Sequence, residues 1–465
     1  MKKFLILILS VGFSVFTIAQ ENPPTIKGKV KISIVEGTFD CDLTISNIPK
    51  IQDYLIRLNS GMNLLHIKSK KPDDFVLGFN KSDKDSTSTG ESAAYYFPGN
   101  DGKGKFLPNE LQFRYVGKYA VAKDTINNYS REDWKGNIAF NGYSVRADGS
   151  QSAWYPYLYD AKNDISYEKM YYDIEFECLD CSSIYLNGSK PIKSSKVNLK
   201  SNQPYEMALY CGKYDFLNDG NLILLNPTFS KNDIDDFSKL VSLYKQYYEN
   251  KINIKFSEPP VFVNTTPTAP RYSWMFVSYP TIMGIGYGND GLGALFDKDK
   301  DSYKQFIAHE LGHYYFGTFK VLNSELGDMI SEGFAEYLSL KLVEEIQGKK
   351  FYVKKFDKKF EYLADFKTLP ISKIKSANQI KDRQKFVYDY APMMFIAIEK
   401  EIGSKKMWEW IRKILATKTD YTNYDFLLST LRITLNDDKK IAKIIEQYFS
   451  NDKSTENIIN NLKNK

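Results

Sequence analysis

Phe306-Ile307-Ala308-His309-Glu310-Leu311-Gly312-His313 carries two of the three histidines in the chain. On a helix, positions four apart lie on one face, roughly 5–6 Å from each other. Two imidazoles so placed reach a single ion at ~2.0–2.1 Å. Glu310 follows the first His directly, so it projects near the metal without having to bind it. From there it can take a proton from a water on the ion, whose pKa zinc lowers to about 7. With histidine so scarce, chance formation of the pattern is on the order of one in a thousand. Ser302 is expected to cap the helix, and Phe306, Ile307 and Leu311 give it an apolar side.

A catalytic zinc takes three protein ligands and keeps one position open. The third histidine, His66, stands in an apolar alternating run far upstream and is expected in the core. A carboxylate must therefore complete the set. Ser331-Glu332-Gly333-Phe334-Ala335-Glu336-Tyr337 supplies it, with eighteen residues between His313 and Glu332. Asn323, Ser324 and Gly327 mark a turn region, after which a second helix from about Asp328 runs back across the first. Glu332 then faces the metal. Glu336, one turn further on the same face, is placed to accept from the free ring nitrogen of a ligating His.

These residues resemble the aminopeptidase N family of gluzincin metallopeptidases. The resemblance rests on His309-Glu310-Leu311-Gly312-His313, on Phe316-Gly317, and on Glu332-Gly333-Phe334-Ala335 at the family's eighteen-residue spacing. It extends to Tyr388–Gly403 (YDYAPMMFIAIEKEIG), which is similar to the family stretch that opens with the catalytic tyrosine. Residues 300–412 carry the likeness; Trp154-Tyr155-Pro156 and Tyr172-Asp173-Ile174 extend it loosely to the family's β domain. The resemblance implies one zinc ion, a peptide or protein substrate, and a Tyr388 hydroxyl that donates to the oxyanion. Tyr390 is a competing candidate for that donor, among thirty-four tyrosines.

The sequence also departs from the family. Its Gly-x-Met-Glu-Asn strand, whose Glu binds the α-amine of the substrate, corresponds here to Met283-Gly284-Ile285-Gly286-Tyr287-Gly288-Asn289. Gly284 and Gly286 suit an edge strand that a peptide approaches closely. No Glu is present, and Asp290 is a possible substitute. Aminopeptidase-like trimming is the first expectation. Endopeptidase cleavage at the same site, or peptide binding without catalysis, are the alternatives. The chain ends soon after the helical part, as in a truncated or divergent member, so a more open cleft is expected.

The 465 residues are 43% apolar, enough for a sizeable core in two or three domains. The net charge of +6 includes Lys2 and Lys3 and is a weak excess, so no nucleic-acid partner is implied. The densest basic stretch, Lys349–Lys359, is broken by Phe351, Tyr352, Val353 and Phe356 and is expected to be an amphipathic surface segment. Lys2 and Lys3, the apolar run Phe4–Ile18 and Thr17-Ile18-Ala19 read as a signal peptide cleaved after Ala19. Export to the periplasm or beyond is expected, with no membrane insertion after cleavage. An uncleaved anchor is the alternative, though the run is short for a span. Cys41, Cys178, Cys181 and Cys211 allow three complete disulfide pairings, and sequence does not choose among them. A metal reading of Cys178-x-x-Cys181 lacks a second ligand pair. Oligomeric state is not legible.

Val30–Ile34, Asp42–Ile45 and Tyr172–Phe176 alternate with period two. Turn signals at Pro98–Gly102 and Asn187-Gly188-Ser189 separate such runs, and Ser86–Ser92 reads as an exposed loop. Asn232–Lys251 has helical spacing, and the chain is mostly helical from Asp301. The expected architecture is multidomain α+β. A β-rich, sandwich- or saddle-like domain (20–228) precedes a thermolysin-like zincin domain (229–465), whose C-terminal helices begin at about 390.

Overall fold

Period-two alternation becomes sheet in the first half of the molecule. A computed structural model describes residues 23–463 except 70–74, 83–90, 101–103, 124–135, 228, 266–273, 286–291 and 293–299. The expected signal peptide, most of the expected Ser86–Ser92 loop, Gly286 and Asp290 therefore lie outside the described residues. Strands β1 (Thr25–Ser33), β2 (Thr38–Ser46) and β3 (Tyr171–Cys178) belong to a seven-stranded sheet. Along β3, Tyr172, Ile174, Phe176 and Cys178 turn inward while their neighbours face outward. This is the geometry that a period of two imposes on a sheet with one covered face. β3 runs parallel to β1 and every other pair in that sheet is antiparallel. A five-stranded and a four-stranded sheet share its apolar core, where Trp154 and Tyr155 are fully buried.

His66 departs from expectation. The register between its strand and the next shifts between Leu64 and His66, and the ring sits at intermediate exposure while Ile67 is buried. A bulge inserts one residue and so moves the inward face by one position, which puts Ile67 in the core instead. Cys178 and Cys181 form a disulfide, and Cys41 and Cys211 are free and buried.

Two short strands before residue 229 pair with strands that follow it. β4 (Phe216–Asn218) and β5 (Ile223–Leu225) pair into a five-stranded sheet with β6 (Val261–Thr265), β7 (Trp274–Ser278) and β8 (Thr281–Ile285), in the order β4-β5-β6-β8-β7. The break in character near 230 marks the first long helix, α1 (Lys231–Ile252), rather than the first strand of the new sheet. Ser230 caps α1 through the Asp233 amide.

Helices follow: α2 (Lys300–Gly312), α3 (Gly327–Leu342), α4 (Lys349–Leu363), α5 (Ala391–Ile402) and α6 (Ser404–Ala416). Ser302 lies within α2 rather than at its cap, because Lys300 and Asp301 are already helical. Two glycines set how closely these helices approach. A Cβ on Gly312 would meet the Ala335 backbone at 3.2 Å, and one on Gly333 would meet the Ala391 Cβ at 2.7 Å. Phe334 stacks between Phe316, with centroids at 4.7 Å, and Phe395, at 3.9 Å. No helix among the described residues is long and apolar enough to cross a membrane.

Candidate active site

The close crossing of α2 and α3 brings His309, His313 and Glu332 together. Their ligand atoms all lie within 4.8 Å of one another, the one such cluster among the described residues. The two Nε2 atoms are 3.1 Å apart, and each is 3.3 Å from Glu332 Oε2. Bonds of ~2.0–2.1 Å to one tetrahedral ion would space ligand atoms by roughly 3.3–3.4 Å. Both Nδ1 atoms face acceptors: His309 Nδ1 is 2.8 Å from Glu336 Oε2, and His313 Nδ1 is 3.2 Å from the Phe316 carbonyl. Once both rings are neutral, with their protons on Nδ1, two lone pairs and a carboxylate oxygen confront one another at a single point. A divalent cation relieves that repulsion, so the donor set fits zinc.

Glu310 is buried beside this cluster and is not part of it. Burial raises its pKa above the ordinary carboxylate value despite the two imidazoles, as suits a general base. Glu336 is held below the carboxylate range: burial alone would raise it, but Lys359 and His309 outweigh that. Glu332 is likewise held low by the two imidazoles against its own burial. Burial would lower His309, yet Glu332 and Glu336 raise it to about 10. A protonated imidazole cannot ligate, so zinc must displace that proton. Zinc affinity of the metal-free protein is therefore expected to climb with pH well beyond the ordinary histidine value of 6.5. Competition titrations with a chromophoric chelator at several pH values check this; a plateau just above 6.5 would refute it.

Tyr388 and Tyr390 lie on a π-helical turn, Phe386–Tyr390, and face different surroundings. The Tyr388 ring is 5.9 Å from that of His309 and remains partly accessible. Tyr390 is fully buried, and its hydroxyl donates to Ser454 Oγ at 2.9 Å. Burial and the Glu332 charge raise the Tyr388 pKa, so its phenol keeps its proton.

No family profile matches the sequence, and no curated protein does. Solved structures do. Yeast leukotriene A4 hydrolase in complex with bestatin aligns over 92% of this chain and 67% of its own, at 14% identity and a TM-score of 0.61. An M1 zinc metallopeptidase from Deinococcus radiodurans, a variant bound to a Tyr-Ser-Ala substrate, aligns over 92% of this chain and 95% of its own. There the identity is 10% and the TM-score 0.59. This chain has the fold of the M1 zinc metallopeptidases. At such identities the likeness is one of fold.

Within that fold Gly284 has a different place from the one expected. It lies on β8, which is paired on both sides, with β6 and with β7. A side chain at this position would collide with Leu292. The glycine therefore serves packing, and among the described residues the strand outside β8 at that end of the sheet is β7. β7 reads WMFVS and carries no carboxylate. Its Ser278 hydroxyl donates to Glu206 Oε2 at 2.9 Å, so that edge is tied to the first domain.

Other site residues escaped sequence reading. Gln305 donates to Glu336 Oε1 at 2.9 Å; it stands one turn before His309, so helical spacing could have found it. Ser331 donates to the Phe316 carbonyl beside His313 at 2.8 Å, and it adjoins Glu332 in sequence. Arg383 forms a bidentate pair with Asp328 at 2.8 and 2.6 Å and reaches Glu332 Oε1 at 3.4 Å. Its guanidinium lies 5.9 Å over the Tyr388 ring. No local pattern marks Arg383, nor Lys359, whose Nζ is 2.7 Å from Glu336 Oε1.

Proposed function

We propose that this protein hydrolyses peptide bonds with one zinc ion held by His309, His313 and Glu332. The convergence of two Nε2 atoms and Glu332 Oε2 on one point, with Glu310 buried alongside, carries the reading. Zinc bound there would polarise the scissile carbonyl and lower the pKa of a coordinated water to about 7. Glu310 takes the proton of the attacking water and passes it to the leaving amine. The Tyr388 hydroxyl donates to the oxygen on which negative charge develops. Glu336 fixes the ring of His309 through Nδ1.

Trimming from the amino end is the first expectation, supported by the motif spacing and by a structural neighbour solved with a Tyr-Ser-Ala substrate. Internal cleavage is the second reading, favoured by the lack of any carboxylate on β7 to receive an α-amine. The buried base argues against a purely binding role, because a structural zinc site has no use for one and closes its fourth position. Export also belongs to the proposal. It rests on the Lys2-Lys3 start and the apolar run after it, and the Cys178–Cys181 disulfide suits an oxidising compartment.

A mixed peptide pool, with free and blocked amino ends, tests the proposal. Cleavage is expected, abolished by a chelator and restored by zinc. Loss of single residues from free ends marks trimming; cuts within blocked peptides mark internal cleavage. Zinc-loaded protein that cuts nothing sinks the reading.

A further inference from the structure

α4 carries six lysines over Lys349–Leu363, and as a surface helix it would leave all of them in water. Lys349, Lys350, Lys354 and Lys358 do face solvent. Lys359 does not: its side chain is only 13% exposed. Its Nζ lies 2.7 Å from Glu336 Oε1, donates to the Tyr388 carbonyl at 2.7 Å, and stands 3.6 Å from Asp389 Oδ1. A buried ammonium persists only where its protons find acceptors. Here those acceptors come from α3 and from the π-helical turn, the two elements that supply Glu336 and Tyr388.

The partners are specific to the chemistry proposed above. Glu336 presents one oxygen to His309 Nδ1, while its other oxygen is held by Lys359 together with Gln305. Which way that carboxylate points therefore depends on the ammonium, and His309 follows it. The same ammonium grips the backbone of Tyr388 and so fixes the root of the phenol whose ring lies 5.9 Å from His309. We propose that Lys359 is a positioning residue that couples zinc binding at His309, through Glu336, to placement of Tyr388, through its carbonyl. Loss of the ammonium loosens both arms together. An ordinary buried ion pair would affect folding alone. The inference rests on the proposed peptidase reading.

Lys359→Met removes the charge and keeps the stem. Zinc affinity of the metal-free variant, measured by chelator competition, is expected to fall roughly tenfold, as when a partner behind a metal ligand is lost. Turnover is expected to fall by about the same factor, with KM changed less than about twofold. Lys359→Arg should restore affinity to within about threefold of the parent, since it keeps a cation for Glu336. In a Glu336→Gln background the affinity effect should vanish, and in a Tyr388→Phe background the turnover effect should shrink, because coupled residues are not additive. If Lys359→Met fails to fold, Lys359→Gln, which is neutral but keeps a donor in place, carries the same comparison with the same expected losses, and parental affinity and turnover there overturn the inference. Parental affinity and turnover in Lys359→Met, or additive effects in both backgrounds, overturn the inference while the peptidase reading stands. Parent protein that takes up no zinc overturns the peptidase reading and this inference with it.

Discussion

Glu310→Gln is expected to bind zinc as the parent does and to lose about 10²–10⁴ in turnover. Glutamine keeps the shape and the hydrogen-bonding reach of the side chain but cannot accept a proton at neutral pH. The proposed ligand atoms belong to His309, His313 and Glu332, so the substitution leaves that cluster untouched. Glu310 is buried in the last turn of α2, between His309 and His313 in sequence, and burial raises its pKa above the ordinary carboxylate value, as suits a base. The loss corresponds to about 3–5 kcal/mol of transition-state stabilisation. Metal stoichiometry and kcat/KM on a peptide found in the pool assay measure both halves. Full activity in this variant would end the general-base assignment, and loss of zinc would show that Glu310 also holds the ion.

Tyr388→Phe is expected to cost ~10²–10³ in turnover, the usual effect of removing one oxyanion donor, with zinc affinity unchanged. The Tyr388 phenol is kept protonated by burial and by the Glu332 charge, so it is a donor at neutral pH. Its ring stands beside His309 on the accessible side of the cluster. Tyr390→Phe is the matched control. It loses a buried hydrogen bond to Ser454, worth about 1 kcal/mol, and should lower thermal stability while leaving turnover intact. Equal losses in the two variants would mean that turnover follows the integrity of the π-helical turn and would remove Tyr388 from the donor role.

Much of the candidate site was legible because its logic is local. His309 and His313 share a face through helical periodicity alone, and Glu336 follows Glu332 by the same rule. α1 and β3 were likewise legible, since long runs with one clear period leave little for distant contacts to alter. Short elements were not. β4 and β5 have three residues each, and only the pairing of β5 with β6, and of β4 with β5, assigns them to the sheet of β6, β7 and β8. The same limit applies to Gly284, which reads as an edge residue until strand order places β8 in the interior. His66 reads as core until a one-residue shift turns the face over.

The sequence by itself determined which side chains could converge, because two imidazoles four apart and a carboxylate on the next helix are specified by spacing within about thirty residues, and the resemblance they carry implied the fold. Tertiary structure alone decided which tyrosine stands beside His309, that β8 lies inside its sheet, and that Lys359 and Arg383 close on the carboxylates from behind. Strand order follows from pairing between distant segments, and the helix contacts from how closely helices cross at Gly312 with Ala335 and at Gly333 with Ala391. Side-chain partners across such crossings are set by packing between segments distant in the chain, which no local period records.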